Sequence, residues 1–378
     1  MNRISSIDGF RAISIALVIA CHCIQRNASI QKLSAWGQMV ENGGYQGVFI
    51  FFVISGYLIT MLLLRDYDKS SRIHLARFYY RRFFRIVPPL YFYVAWVIAT
   101  AALTGLRPAP IEVITALTFT RNLDFHSHQW FFSHFWSLCV EEQFYLLWPV
   151  CLLMVLKGKG RPGARSLAVA LILIAPLFRL AVFVLVKNQP MRAFVYTMLP
   201  SQMDGLMFGC LAALAEGEPQ WEHIYRRAER YIWAAPFWFF LVSNYLRILL
   251  GAGYQRTIAP TLDGLCVVLA LIWCIRNPMC GVGRALNWRP IVHIGVISYS
   301  IYLWQTWFLH SDNPSRLASP PWSLAYIFLA AEFSWHGIER LSRIARDRLE
   351  PLLFNTRLSS VPSENRSAPE EPPKTATA

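Results

Sequence analysis

Charge is what this sequence has least of: Asp, Glu, Lys and Arg make up 15% of its 378 residues, where about a quarter is usual for a globular chain. The charges that remain are gathered between long apolar runs such as Leu167 to Val186. With 55% hydrophobic residues and a mean hydropathy of +0.36, an ordinary water-soluble domain is excluded and the bilayer is the solvent. Paired cysteines are missing too. The eight cysteines (Cys21, Cys23, Cys139, Cys151, Cys210, Cys266, Cys274, Cys280) show no CxxC spacing and lie mostly in or beside apolar segments. They indicate neither a disulfide frame nor a zinc site, and read as small packing residues. Acid is scarcer than base, 22 residues against 36, for a formal net charge of +14. A nucleic-acid-binding chain would carry that excess on a soluble face. Here it sits in short loops beside apolar segments, so no nucleic-acid partner is expected. There is no internal repeat and no second soluble domain.

What is present is a series of runs near the roughly 20 apolar residues that cross a bilayer. About ten candidate spans can be drawn: 10–26, 46–64, 88–106, 136–156, 166–186, 200–216, 231–250, 258–275, 291–309 and 321–339. The fold class is therefore all-α, a polytopic integral membrane helical bundle. With the N-terminus inside, the cytoplasmic segments hold 23 Lys and Arg and the opposite side nine, which predicts an N-in, C-in topology. Residues 1–350 form the transmembrane domain. From Asn355 the chain is rich in Pro, Ser, Glu and Thr, and 351–378 reads as a disordered cytoplasmic tail.

Ionisable groups within a membrane segment default to function, and His22, Glu141, Glu142, Arg179, Asp204, Asp263 and Glu332 qualify. Arg11 and His22 are eleven residues apart, three helical turns plus about 20° and a rise of about 16 Å, so they share one face. A snorkelling Arg with an interfacial His explains the spacing equally well. Ser137, Glu141 and Tyr145 follow i, i+4, i+8 and make a polar stripe. Adjacent carboxylates are not expected to share a face, so Glu141 is assigned to a cavity and Glu142 to a structural pair with Arg179. The alternative is a network that only holds helices together. In the segment from Arg77 to Pro89, Arg77, Arg81 and Arg85 form a stripe, and Pro88 suits the first turn of the next helix. That stripe reads as an interfacial helix on anionic lipid or as a phosphate site. His126, His128 and His134 have no carboxylate at a fixed offset, so no metal site is expected.

Together these segments resemble the acyltransferase-3 family, bacterial polytopic membrane O-acyltransferases. The matching pieces are Asp8-Gly9-Phe10-Arg11 with ten residues before His22, Phe51 to Ile59, and Arg81-Arg82-Phe83-Phe84-Arg85-Ile86-Val87-Pro88. They continue with Trp136 to Pro149, Asp204 followed by Gly209, and Ser298 to Trp304. The resemblance covers roughly residues 5 to 345. It implies an inner-membrane enzyme with no bound cofactor. Such an enzyme moves an acyl group, acetyl most often, from cytoplasmic acyl-CoA to a hydroxyl of a carbohydrate, glycolipid or secondary metabolite. By this resemblance His22 is the general base, Arg11 a donor-site residue, and Arg81, Arg82 and Arg85 contacts for the CoA phosphates. Glu141 would orient the imidazole, with Ser137, Tyr145, Glu142 and Asp204 toward the acceptor. Gln305 and Gln202 depart from the family's frequent His and Arg. They speak against a catalytic role for the last motif and against an Arg–Asp pair within the sixth helix. A transporter or flippase whose charges line a translocation path is the rival reading.

Overall fold

The computed structural model describes residues 4–26, 35–125, 129–310, 313 and 321–354. His126, His128 and the expected tail beyond residue 354 lie outside them. Among the described residues all regular structure is helical. In chain order the helices are α1 (Ser5–Arg26), α2 (Ala35–Ser70), α3 (Leu75–Thr104), α4 (Pro110–Leu117), α5 (Phe135–Leu185), α6 (Gln189–Tyr196), α7 (Leu199–Ala215) and α8 (Pro219–Glu229). They continue with α9 (Ala234–Phe237), which runs through a π-turn (Trp238–Val242) into α10 (Ser243–Thr257), and with α11 (Ala259–Arg276), α12 (Gly281–Leu286) and α13 (Arg289–Leu309). The last, α14 (Trp322–Ser334), passes through a second π-turn (Trp335–Glu339) into α15 (Arg340–Phe354).

Proline opens α4, α6, α7, α8, α11 and α13 from their first two positions, where the missing N–H is no loss. Among the described residues six helices are long and apolar enough to cross a membrane: Ser5–Arg26, Met39–Ser70, Leu75–Leu103, Phe135–Leu185, Ala234–Thr257 and Ala259–Arg276. The chain is an integral membrane protein. α5, at 51 residues, is far longer than one bilayer crossing needs at about 1.5 Å per residue. It is interrupted at Gly160, whose φ of 62° and ψ of −165° are not helical. A positive φ is available to glycine at little cost, so the break falls between the two hydropathy runs 136–156 and 166–186.

α3 departs from expectation. Instead of starting at Pro88, it starts at Leu75 and carries Pro88 and Pro89 in its interior. A proline at 88 leaves the carbonyl four residues back without its helical donor. That carbonyl belongs to Phe84, and the Ser342 hydroxyl of α15 donates to it. Two residues on, the Ile86 carbonyl accepts from Tyr299 Oη at 2.9 Å. Ser342 thus takes up the carbonyl that Pro88 leaves without a helical donor, and Tyr299 adds a second link to the same turn of α3.

The core is built from α1 against α2 and α13, α2 against α7, and α7 against α5. Small residues let these backbones touch, as membrane helices require when lipid is as apolar as the side chains. A methyl group on Gly209 of α7 would run into the Val53 carbonyl of α2, and one on Gly56 into the Leu206 carbonyl. Gly295 of α13 packs in the same way on the Asp8 carbonyl of α1. These contacts bring α1, α2, α5 and α13 around a common interior space.

Candidate active site

That space is a cavity of about 450 Å³. α1 gives it Asp8 and Arg11, α2 gives Ser55, and α3 gives Arg82 and Arg85. From α5 come Ser137, Glu141, Glu142 and Tyr145, and from α13 Tyr299 and Tyr302. The second π-turn and α15 close it with Trp335, Glu339, Arg343 and Arg346.

A hydrogen-bonded series runs along α5. Tyr145 Oη donates to Ser55 Oγ at 2.8 Å, and Ser55 Oγ donates to Glu141 Oε1 at 2.7 Å. Arg82 lies over the Tyr145 ring with Cζ 3.6 Å from its centroid, a cation–π arrangement that gains strength away from water. Its buried Nε has no hydrogen-bond partner. Arg82 and Arg11 are both close enough to Glu141 to act on its charge, while Arg11 sits 3.9 Å from Asp8. Two turns back along α5, Ser137 Oγ and Tyr302 Oη are 2.6 Å apart, and Tyr302 donates to the His134 carbonyl at 2.9 Å. Guanidinium groups occupy one end of the cavity, and a carboxylate with hydroxyls on either side of it follows.

Of the residues expected in the site, Arg11, Arg82, Arg85, Ser137, Glu141, Glu142 and Tyr145 share this lining. The expectation that only one of the adjacent acids would face it is corrected. Successive residues on a helix are 100° apart, and the cavity wraps far enough around α5 to meet Ser137, Leu138, Glu141, Glu142 and Tyr145. Nor does Glu142 pair with Arg179. That guanidinium is bidentate with Asp204, at 2.7 and 3.0 Å, and also donates to the Ser201 and Thr257 carbonyls. Asp204 accepts in addition from Thr261 Oγ1 at 2.6 Å and is fully buried outside the cavity lining. So the residue expected to contact the acceptor is held in a structural pair, its Arg supplied by α5 and not by α7. Arg247 and Asp263, 2.5 Å apart, form a second buried pair.

Arg81 also turns away from the cavity. With Arg77 it grips Glu350 of α15, Nε to carboxylate at 2.9 and 2.6 Å. The hydrogen bonds from Arg81, followed by those from Arg77, hold the Glu350 carboxyl below the usual carboxylate range despite its burial.

His22 is half-buried and is not in the cavity lining. Its hydrogen bond is with Gln25, and it lies near His310 and His134. The expected partner Glu141 is engaged with Ser55 instead. His134 itself is buried, edge-on to Tyr93, Phe135 and Tyr302. Glu332 lies between His293 at 2.5 Å and His336 at 3.3 Å. Among the described residues no group of three His, Cys, Asp or Glu is placed to hold a metal ion.

The sequence reading gave no role to Ser55, Tyr302, Glu339, Arg343 or Arg346. Ser55 is the one serine within the apolar run from Phe49 to Leu58, and the depth argument applied to α5 would have raised it. Glu339, Arg343 and Arg346 are spaced i, i+4, i+7 and share one helical face.

Residues 4–335 match the acyltransferase domain of the acyltransferase-3 family. The chain belongs to the acyltransferase-3 family. Over 363 residues it is 29% identical to the peptidoglycan O-acetyltransferase OatA of Listeria monocytogenes, covering 89% of this chain and 55% of that one. Over 367 residues it is 27% identical to the putative peptidoglycan O-acetyltransferase YrhL of Bacillus subtilis, covering 89% and 54%. A putative O-acetyltransferase of Staphylococcus aureus is 27% identical over 372 residues, covering 90% and 57%. The chain thus spans about half the length of the curated relatives it matches. No solved structure matches it. All the lining residues of α15 lie beyond the matched region.

Proposed function

We propose that this member of the acyltransferase-3 family is an O-acyltransferase of the bacterial inner membrane. It moves an acyl group, acetyl by analogy with the names of its relatives, from cytoplasmic acyl-CoA to a hydroxyl of a carbohydrate acceptor such as a peptidoglycan sugar. The observation that carries this reading is the one cavity in which guanidinium groups of three helices share a lining with Glu141 and its hydroxyl neighbours. Guanidinium forks suit phosphate oxygens, and the far end offers the polar groups that acyl transfer needs.

The reading takes ten spans with both termini in the cytoplasm. Docking of α15 on α3 supports it, because the contact of Glu350 with Arg77 and Arg81 is what two basic segments on one side of a membrane, an even number of crossings apart, would make. His22 remains the base in this proposal: it takes the proton of the acceptor hydroxyl as that oxygen attacks the thioester carbonyl, and the CoA thiolate leaves. A positioned His contributes typically about 10² to 10⁴-fold. The nearness of His22 to His134, whose carbonyl meets the Ser137–Tyr302 pair, supports its placing next to the cavity's inner end.

The test is His22→Ala and Glu141→Ala in membranes supplied with labelled acetyl-CoA and peptidoglycan fragments. Loss of transfer in well-folded variants is expected, and normal transfer overturns the site. Release of free CoA thiol only when acceptor is present separates this enzyme from a flippase.

A further inference from the structure

Four arginines meet at the cavity's basic end in two pairs. Arg82 and Arg85 come from α3, Arg343 and Arg346 from α15. Each pair is spaced i, i+3 and presents one helical face. α15 is seated against α3 by Ser342 on the Phe84 carbonyl, by Tyr80 Oη on the Arg346 carbonyl at 3.1 Å, and by Glu350 on Arg77 and Arg81.

The α15 pair is not consumed by its own surroundings. Arg343 stacks on Trp335 with Cζ 4.0 Å from the ring, and a stacked guanidinium keeps its N–H donors in plane and available. Arg346 bonds the adjacent Asp347 at 2.7 Å, whose side chain is 64% exposed, and a solvent-facing pair of this kind yields readily. The two pairs also stand at different points along the path. Arg82 rests on Tyr145, at the start of the α5 stripe that leads to Glu141, so the α3 pair is the inner one.

Taking acyl-CoA as donor, as proposed above, we infer that Arg343 and Arg346 form a subsite for the ribose 3′-phosphate of CoA, leaving Arg82 and Arg85 for the diphosphate. The order follows from the ligand's own connectivity. The pantetheine arm leaves from the diphosphate, so the diphosphate must sit nearer Glu141 and the 3′-phosphate farther out.

The experiment measures the Kd of CoA and of dephospho-CoA for the full chain in nanodiscs, with the variant Arg343→Ala/Arg346→Ala and the conservative Arg343→Lys/Arg346→Lys. Losing charge-assisted bonds to a phosphate should weaken CoA binding by about tenfold or more. The lysine variant should regain part of this, and dephospho-CoA should bind the parent and the alanine variant alike. An equal loss for both nucleotides, or none for either, overturns the subsite. So does a loss seen only in nanodiscs containing anionic lipid, which assigns the pair to phospholipid headgroups. Retained CoA binding without any acyl transfer by the parent would overturn the enzymatic reading while leaving the subsite standing; no CoA binding at all overturns both.

Discussion

The Arg82 guanidinium carbon lies 3.6 Å from the centroid of the Tyr145 ring, and this contact joins the arginines of the cavity to its hydroxyls and carboxylate. The tyrosine hydroxyl continues the series through Ser55 to Glu141. A positive charge at the cavity mouth and a carboxylate inside it are therefore parts of one hydrogen-bonded and stacked assembly.

Graded substitutions along that series should give graded losses. Glu141→Gln keeps shape but removes the charge that faces Arg11 and Arg82, and transfer should fall by about a hundredfold, within the range for a positioned acid–base or electrostatic group. Tyr145→Phe retains the stacking surface and loses the hydroxyl that bonds Ser55, for an expected drop of about tenfold. Tyr145→Ala should cost more than Tyr145→Phe because Arg82 also loses its platform. Initial rates of acceptor-dependent thiol release check the order.

Asp204 should be a stability residue. Removing one partner of a buried ion pair leaves the other charge uncompensated, at a cost of about 3–5 kcal/mol. Asp204→Asn should therefore lower the melting temperature and the folded yield sharply. Arg179→Met/Asp204→Leu should recover part of that loss. Per folded molecule, the double variant should transfer acyl groups at close to the parent rate.

The grip of α15 on α3 should loosen in acid. The Glu350 carboxyl is held below its ordinary value of 4.5, so its contribution is fully present above that value and is lost as pH falls through the lowered one. The melting-temperature gap between the parent and Glu350→Gln should be constant from about pH 5 to 8 and close below about 4.5. Because Arg81 is 51% exposed, the gap should correspond to about 1 kcal/mol or less.

Two glycines give a steric contrast. Gly209→Ala places a methyl group on the Val53 carbonyl, whereas Gly281→Ala meets nothing within 4 Å. The first should abolish folded protein in detergent and the second should leave yield and melting unchanged, read by size-exclusion profile and thermal scan.

Much of the helix framework was legible because hydropathy is a local signal. The Ser137–Glu141–Tyr145 stripe was legible for the same reason, since its spacing lies within one helix. Glu142 and Asp204 were misplaced because their surroundings are set by other helices. Nothing near Asp204 in sequence announces Arg179, and the breadth of the cavity around α5 is a tertiary fact. The arginines of α15 escaped because loop charge was read as topology alone. Arg81 shows the converse: its motif was visible, but Glu350, 269 residues later, decides which way it turns.

Pro88 ties these strands together. By withholding a donor it leaves the Phe84 rung of its own helix open, and a serine 258 residues after Phe84 fills that rung. An apparent flaw in α3 thereby becomes the socket for α15, and replacing this proline with alanine would give the rung back its own donor and set it in competition with the tenant.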